Sequence, residues 1–273
     1  MKRIIIFSGG LGNQMFQYAF FLSMLKRGII CKIDDTLFYT TKMHCGFELE
    51  KVFGIGYISN KPSLCKKIWI RFLRKYKPGI FLFTDKSYTY CPEVYQSNNP
   101  YLMGDWLSPK YFDNMRDDLI HSFIFRNISK KNYDFAKKIQ ACESVSIHIR
   151  RGDYLNLPNY CVCTEEYYGK AIKQIQIKVT NPYFYIFSND PLWCETFMNQ
   201  FCVNYKIIDW NQGMDSFQDM YLMTQCKHNI IANSTFSWWG AWLNVNENKI
   251  VITPRVWFRN KDLNINCSEW YQL

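Results

Sequence analysis

Val145-Ser146-Ile147-His148-Ile149-Arg150-Arg151-Gly152-Asp153-Tyr154 starts as a strand and finishes as a loop. The run Val145 to Ile149 reads as a short apolar strand, and two guanidinium groups and a glycine turn follow it at once. Such a strand end delivers fixed positive charge to a loop. Arginine suits the task because its planar fork pairs phosphate oxygens two at a time and cannot lose its proton. A solvated turn is the plainer alternative for these residues taken alone.

Outward from this strand, elements alternate regularly. A helix is expected from Thr164, with Glu165 and Glu166 at the positive end of its dipole. Strand Tyr183–Phe187 leads to Ser188-Asn189-Asp190-Pro191, where Asp190 can cap a helix and Pro191 can occupy its first position. Strand Tyr205–Ile208 precedes a helix around Ser216–Thr224. Strand Asn229–Ala232 runs into Asn233-Ser234-Thr235-Phe236-Ser237 and a tryptophan-rich helix, and Lys249–Ile252 is a further strand. The amino-terminal part opens likewise: strand Arg3–Phe7, a glycine turn Ser8–Gly12, helix Asn13–Lys26 stopping at Gly28, and strand Ile29–Ile33. A poorly periodic, aromatic region extends from Asp34 to about Asn132. This alternation predicts an α/β fold with two Rossmann-like halves and parallel sheets facing across a cleft, divided near residues 130–143. In such sheets ligands bind beyond the carboxyl ends of the strands, and Gly9–Asn13, His148–Asp153, Ser188–Asp190 and Asn233–Ser237 all follow strands.

The composition narrows the partners. With 273 residues, 48% hydrophobic, the chain can fill one large core or two modest ones, and a net charge of +10 asks for anionic partners. Eleven cysteines lack zinc-knuckle spacing and read as reduced thiols. The start MKRIIIFSGG reads as a strand instead of a secretory signal, and no run approaches the ~20 apolar residues of a spanning helix. A cytoplasmic enzyme is the expectation.

Gly10-x-Gly12, with Asp34 ending the second strand, resembles half of a dinucleotide fingerprint. Met15 stands where that fingerprint needs a small residue, so the turn reads better as a close-approach loop presenting backbone N–H groups and Asn13. Asn233 or Ser234 can cap the last helix, whose first N–H groups suit phosphate. Trp238, Trp239 and Trp242 read as packing. No Asp-x-Asp occurs, and no metal cluster is visible. A nucleotide-sugar enzyme must neutralise a departing diphosphate with a metal or with fixed cations. The arginine pair points to the second solution.

Together these loops resemble the alpha-1,2-fucosyltransferases of glycosyltransferase family eleven, especially short bacterial members. The matches are Gly9-Gly10-Leu11-Gly12-Asn13-Gln14-Met15-Phe16-Gln17-Tyr18, the heptapeptide His148–Tyr154, Phe187-Ser188-Asn189-Asp190, and Asn233-Ser234-Thr235-Phe236-Ser237-Trp238-Trp239-Gly240. Gly46–Leu49 and the segment from Gly104-Asp105-Trp106 through Tyr111-Phe112 match more loosely, and Leu107 stands where a glutamine is usual. The resemblance implies a metal-independent, inverting enzyme of the GT-B type that needs no cofactor and uses GDP-fucose as donor. It implies residues 1–135 as the acceptor side and 136–273 as the GDP-sugar side. It assigns Arg150 to the β-phosphate and leaving group, with Arg151 supporting it or bracing the loop. His148, Asn189 and Asp190, beside Ser188, would recognise the nucleoside. Ser234, Thr235, Phe236 and Ser237 would bind phosphate, and Gly10, Leu11, Gly12 and Asn13 would approach the diphosphate and fucose. Asp153 is the obvious carboxylate for catalysis, but two neighbouring arginines make it a poor base and a good loop clamp. Asp105, Glu48 and Glu93 are the other base candidates. The acceptor implied is a galactose-terminated oligosaccharide, in a lipid-linked form if the membrane reading below holds, with bacterial surface polysaccharide as the setting.

Residues 61–77 carry most of a basic run with no acid between Glu50 and Asp85. On a helix, Leu64, Ile68, Trp69, Phe72, Leu73 and Tyr76 share half the wheel. Two readings stand: an ordinary core helix, or a peripheral contact with the inner face of the plasma membrane. Against the transferase stand an NAD-type or non-catalytic nucleotide binder, which Met15 opposes, and a nucleic-acid-binding protein. The arginine pair and helix-start serines form one pocket instead of an extended stripe, which opposes the last.

Overall fold

Glycine decides where the first helix starts. Gly9 takes a left-handed φ of 81° and Gly10 is an extended N-cap, so the chain turns sharply after strand β1 (Arg3–Ile6) and enters α1 (Leu11–Lys26). The helix therefore begins two residues before the expected Asn13, and Leu11 and Gly12 belong to its first turn. The computed structural model describes residues 2–41, 45–57, 61–85, 89–152, 157, 159–259 and 265–273. Its chain forms two units, Met1–Arg126 and Asn127–Leu273.

In the first unit, β2 (Cys31–Asp34) lies two residues later than the expected Ile29 start. It is followed by α2 (Leu49–Phe53), α3 (Leu64–Tyr76), β3 (Leu82–Thr84), β4 (Tyr101–Met103) and α4 (Arg116–Ser122). Among the described residues four strands run parallel in the order β2-β1-β4-β3. The aromatic region thus supplies half the strands of this sheet. Its rings pack the sheet's surroundings: Phe20 of α1 stacks on Trp106 at 4.1 Å, and Tyr111 meets both edge-on.

The second unit contains α5 (Lys130–Gln140), β5 (Ser144–Ile149), α6 (Glu165–Lys178), β6 (Tyr183–Ser188), α7 (Pro191–Met198), β7 (Asn204–Ile208), α8 (Phe217–Gln225), β8 (His228–Ile230), α9 (Thr235–Trp242), β9 (Val251–Thr253) and β10 (Tyr271–Gln272). Among the described residues its sheet has six parallel strands, ordered β10-β9-β8-β5-β6-β7. All six residues of β5 are buried. Val145, Ile147 and Ile149 pack with Ile172 and Ile175 of α6 and Phe197 of α7, while Tyr185 and Phe187 of β6 pack with Ala136 and Ile139 of α5 and Leu222 of α8. Helices on both faces give the expected doubly wound α/β arrangement. Thr164 caps α6 by accepting from Tyr167 N–H at 3.4 Å, and Asp190 caps α7 by accepting from Trp193 N–H at 3.2 Å, with Pro191 first in the helix. Trp238 and Trp239 are fully buried and Trp242 nearly so, which makes them core.

Candidate active site

The end of β5 is held by its neighbours. Tyr168 of α6 donates to the His148 carbonyl at 3.1 Å. His148 is buried, and its ring lies 5.8 Å from that of Phe236 in the first turn of α9, which ties the arginine loop to the start of that helix. Burial, with the Arg150 charge adding to it, lowers the His148 pKa to about 3, so the imidazole is neutral near pH 7. Its Nδ1 has no hydrogen-bond partner among the described residues.

The two arginines differ. Arg151 Nε donates to Asp190 Oδ2 at 3.3 Å, its guanidinium lies 4.0 Å over the Trp193 ring, and its backbone N–H donates to Asn189 Oδ1 at 3.1 Å. Arg151, Asn189, Asp190 and Trp193 thus lock the loops after β5 and β6 together. Ser188 Oγ accepts from Asp190 N–H at 3.0 Å and completes the turn. Arg150 follows Ile149 directly at the carboxyl end of the buried central strand. Asp153 lies outside the described residues.

At α9, Ser234 occupies the N-cap, but its side chain makes no capping bond. Asn233 has a different task from the expected cap: its Nδ2 donates to the carbonyls of Tyr160 and Trp257 at 2.9 and 3.0 Å. Ser234, Thr235 and Phe236 are partly accessible. Ser237 is buried, and its hydroxyl reaches the carbonyls of Ala232 and Ser234 at 3.4 and 3.3 Å. Its hydroxyl is thereby engaged with the backbone of its own turn. A cavity of about 730 Å³ lies at the amino ends of β6 and β7, lined by Lys178 to Pro182 and Phe201 to Asn204, and none of the expected site residues lines it.

In the first unit two distant stretches converge on the glycine turn. Gln14, fully buried, donates to the carbonyls of Gly9 (3.0 Å) and Gly46 (2.8 Å) and accepts from Glu48 N–H (2.9 Å). Gln17, also fully buried, accepts from Ser8 N–H at 3.0 Å and donates to the Gly104 carbonyl at 3.2 Å. Asn13 Nδ2 donates to Asp105 Oδ1 at 3.3 Å. These contacts join Gly9–Asn13, Gly46–Glu48 and Gly104–Asp105. Leu11, expected to approach the ligand, is buried and contributes its side chain to the core. The structural roles of Gln14 and Gln17 escaped the sequence reading. The available signal was a pair of amides spaced i, i+3 on the same helix face as Phe20 and Met24, where buried polar groups must find partners.

Asp34 is buried; its Oδ1 accepts from Thr36 N–H at 2.9 Å and its Oδ2 pairs with Lys66 Nζ at 2.8 Å. Both oxygens are engaged inside the fold, and Met15 is fully buried, which removes the basis of the dinucleotide reading. Among the described residues, no three His, Cys, Asp or Glu side chains converge as metal ligands.

Residues 3–272 match the family Glycosyl transferase family 11. The chain belongs to that family. Within it, the chain is 32% identical to an alpha-1,2-colitosyltransferase of Escherichia coli over 94% of this chain and 92% of that one. It is 34% identical to the O-antigen biosynthesis glycosyltransferase WbnK of Escherichia coli, over 97% and 98%. A galactoside alpha-(1,2)-fucosyltransferase 2 of Sus scrofa is 25% identical over 86% of this chain and 67% of that one. Among solved structures, the fucosyltransferase NodZ from Bradyrhizobium aligns with TM-score 0.53 and 14% identity, over 88% of this chain and 91% of that one. The fold is therefore α/β of the GT-B type, with two parallel-sheet units.

In this family 11 chain, a Cβ at Gly152 would collide with the Asn189 amide, the group that accepts from Arg151 N–H. Gly152→Ala is expected to displace Asn189 and raise the donor KM about tenfold, the scale of one lost hydrogen bond to a loop. Steady-state kinetics at fixed acceptor check this.

Glu48 gives the unit a pH dependence. Burial pushes its carboxyl up to about 7, against the opposing pulls of Lys51 and of the Leu11 N–H it accepts. The folded state then binds the proton more tightly than the unfolded chain, so this contribution is present below about pH 4.5 and lost as pH rises through about 7. Glu48→Gln is expected to remove that slope. Urea midpoints of wild type and variant, compared across the window, measure it.

Proposed function

We propose that the chain transfers L-fucose from GDP-fucose to the 2-hydroxyl of a terminal galactose, or a similar hexose, with inversion and without a metal ion. The placement of Arg150 at the carboxyl end of the buried central strand, next to a braced loop, supports this reading. Arg151 is committed to Asp190 and Trp193, a brace that fixes the loop. Arg150, at the end of the central strand, is assigned to the diphosphate together with the N–H groups at the start of α9. As the bond from the anomeric carbon to the β-phosphate oxygen breaks, negative charge builds on GDP, where a fixed guanidinium stabilises it most. The acceptor oxygen attacks the opposite face of the oxocarbenium-like sugar. Neutral His148, with Asn189, is assigned to the nucleoside, and Asn13 to positioning fucose. Asp153 is assigned as a loop clamp beside the arginines. Donor binding falls to residues 136–273 and acceptor binding to 1–135.

A second donor has specific support, because a relative over most of the chain is a colitosyltransferase. Colitose is fucose without its 3-hydroxyl. By likeness to WbnK, an O-antigen biosynthesis glycosyltransferase, the acceptor assigned is a growing surface polysaccharide; a lipid-linked form met in the cytoplasm is part of the proposal. Both donors, GDP-fucose and GDP-colitose, should be offered with galactose-terminated acceptors in EDTA, and the product linkage read by NMR. An α-1,2-linked fucoside is expected, its anomeric configuration opposite to the β-linked donor. Transfer of colitose alone would overturn the donor, a different linkage the acceptor hydroxyl, and a requirement for added metal the electrostatics.

A further inference from the structure

We infer that α3 and the turn after it form a docking surface for an anionic lipid bilayer. The helix carries two apolar faces, where the sequence suggested one. Ile70 and Leu73 are fully buried against Ile6, Leu37 and Leu82, with Trp69 packed beside them, and these hold α3 on the sheet. Leu64, Ile68, Phe72 and Tyr76 recur at every fourth residue and so line another side of the helix. They are 73%, 59%, 39% and 62% exposed, and Ile80 and Phe81 just beyond are 82% and 44% exposed. The rings form a continuous patch: Phe72 lies 5.5 Å from Trp69 and 5.1 Å from Tyr76, and Trp69 lies 5.7 Å from Phe81. Scattered exposed apolar residues are ordinary, but a clustered stripe marks an interaction surface.

The charge around the stripe selects the occupant. No acidic residue lies between Glu50 and Asp85, whereas Lys61, Lys66, Lys67, Arg71, Arg74, Lys75 and Lys77 border or lie on the helix. Among the described residues, only Lys66 of these is ion-paired, to Asp34. A second copy of the chain would set these cations against their own equivalents. A nucleic acid would neutralise the cations but leave the apolar stripe in water. A bilayer interface satisfies both, because rings and aliphatic chains enter the acyl boundary while lysine and arginine heads stay among anionic headgroups.

The surface is independent of the proposed reaction and is tested without it. Protein is sedimented with vesicles of phosphatidylcholine containing phosphatidylglycerol, and with phosphatidylcholine alone. Binding is expected to the first, to fall steeply with added salt, and to be at least about tenfold weaker to the second. Ile68→Ser with Phe72→Ser is expected to weaken it at least about tenfold, and Lys67→Gln, Arg74→Gln and Lys75→Gln together about 100-fold, at roughly one kilocalorie per cation. These side chains are mostly exposed, so thermal melting should match wild type and certify the fold. Absence of binding by wild type, or binding that survives the stripe substitutions, would overturn the surface. So would light scattering that shows a dimer abolished by Ile68→Ser with Phe72→Ser, which would give the stripe to a second copy.

Discussion

Arg150→Ala is expected to slow single-turnover transfer by about 10²–10³ at saturating donor, the usual loss when one fixed group aimed at developing charge is removed. Its cause lies in the place of Arg150 directly after the buried central strand, where the loop is braced by the neighbouring arginine. Arg151 makes a 3.3 Å contact to Asp190 and stacks 4.0 Å over Trp193. Arg151→Ala therefore loosens a loop and exposes Asp190 uncompensated, which should raise the donor KM more than it lowers the rate of the chemical step. Arg150→Lys retains a charge but loses the two-pronged fork, and should fall between Arg150→Ala and wild type. Rapid-quench measurement with enzyme in excess separates these effects. An Arg150→Ala rate near wild type, beside a crippled Arg151→Ala, would exchange the two roles.

Gln14→Leu is expected to be the most destabilising single change near the glycine turn, by about 2–3 kcal/mol. The leucine fills nearly the same volume but leaves the carbonyls of Gly9 and Gly46 and the N–H of Glu48 without their partner. Glu48 N–H is buried and costs about 1–3 kcal/mol when orphaned, while the two half-buried carbonyls, which water can partly reach, each add less. The Gln14→Glu variant would keep an acceptor for Glu48 N–H while placing a carboxylate against two carbonyls, and should be no better. Urea denaturation gives the midpoint shift. A loss below about 1 kcal/mol would mean that water or rearranged backbone replaces the amide.

The carboxyl half was legible because β5 and β6, six residues each, show as apolar runs, the short β8 and β9 sit within longer apolar stretches, and its helices carry caps that name their own starts. Thr164, Asp190 and Pro191 all occupy the positions that sequence signals gave them. In the amino-terminal half, β3 and β4 are three residues each, too short for any period to register among so many rings. The glycine turn was visible, but the helix start within it was set by Gly9 backbone geometry, which residue identity leaves open. Ile70 sat among cations in the sequence yet became the buried anchor of α3, because the sheet and not the helix chooses the inward side. The Arg151–Asp190 brace spans 39 residues of chain, and only the pairing of β5 with β6 brings its ends together.

The loops of the two units are secured by different forces. Around the glycine turn the fasteners are mostly neutral amides on backbone groups, whereas the arginine loop is fastened by a guanidinium, a carboxylate and an indole. Ionic strength acts on these unequally, since partly exposed charges feel mobile ions that a buried amide does not. A simple salt titration should therefore behave as a dial for one half of the molecule, loosening the arginine loop while the geometry around Asn13 stays put.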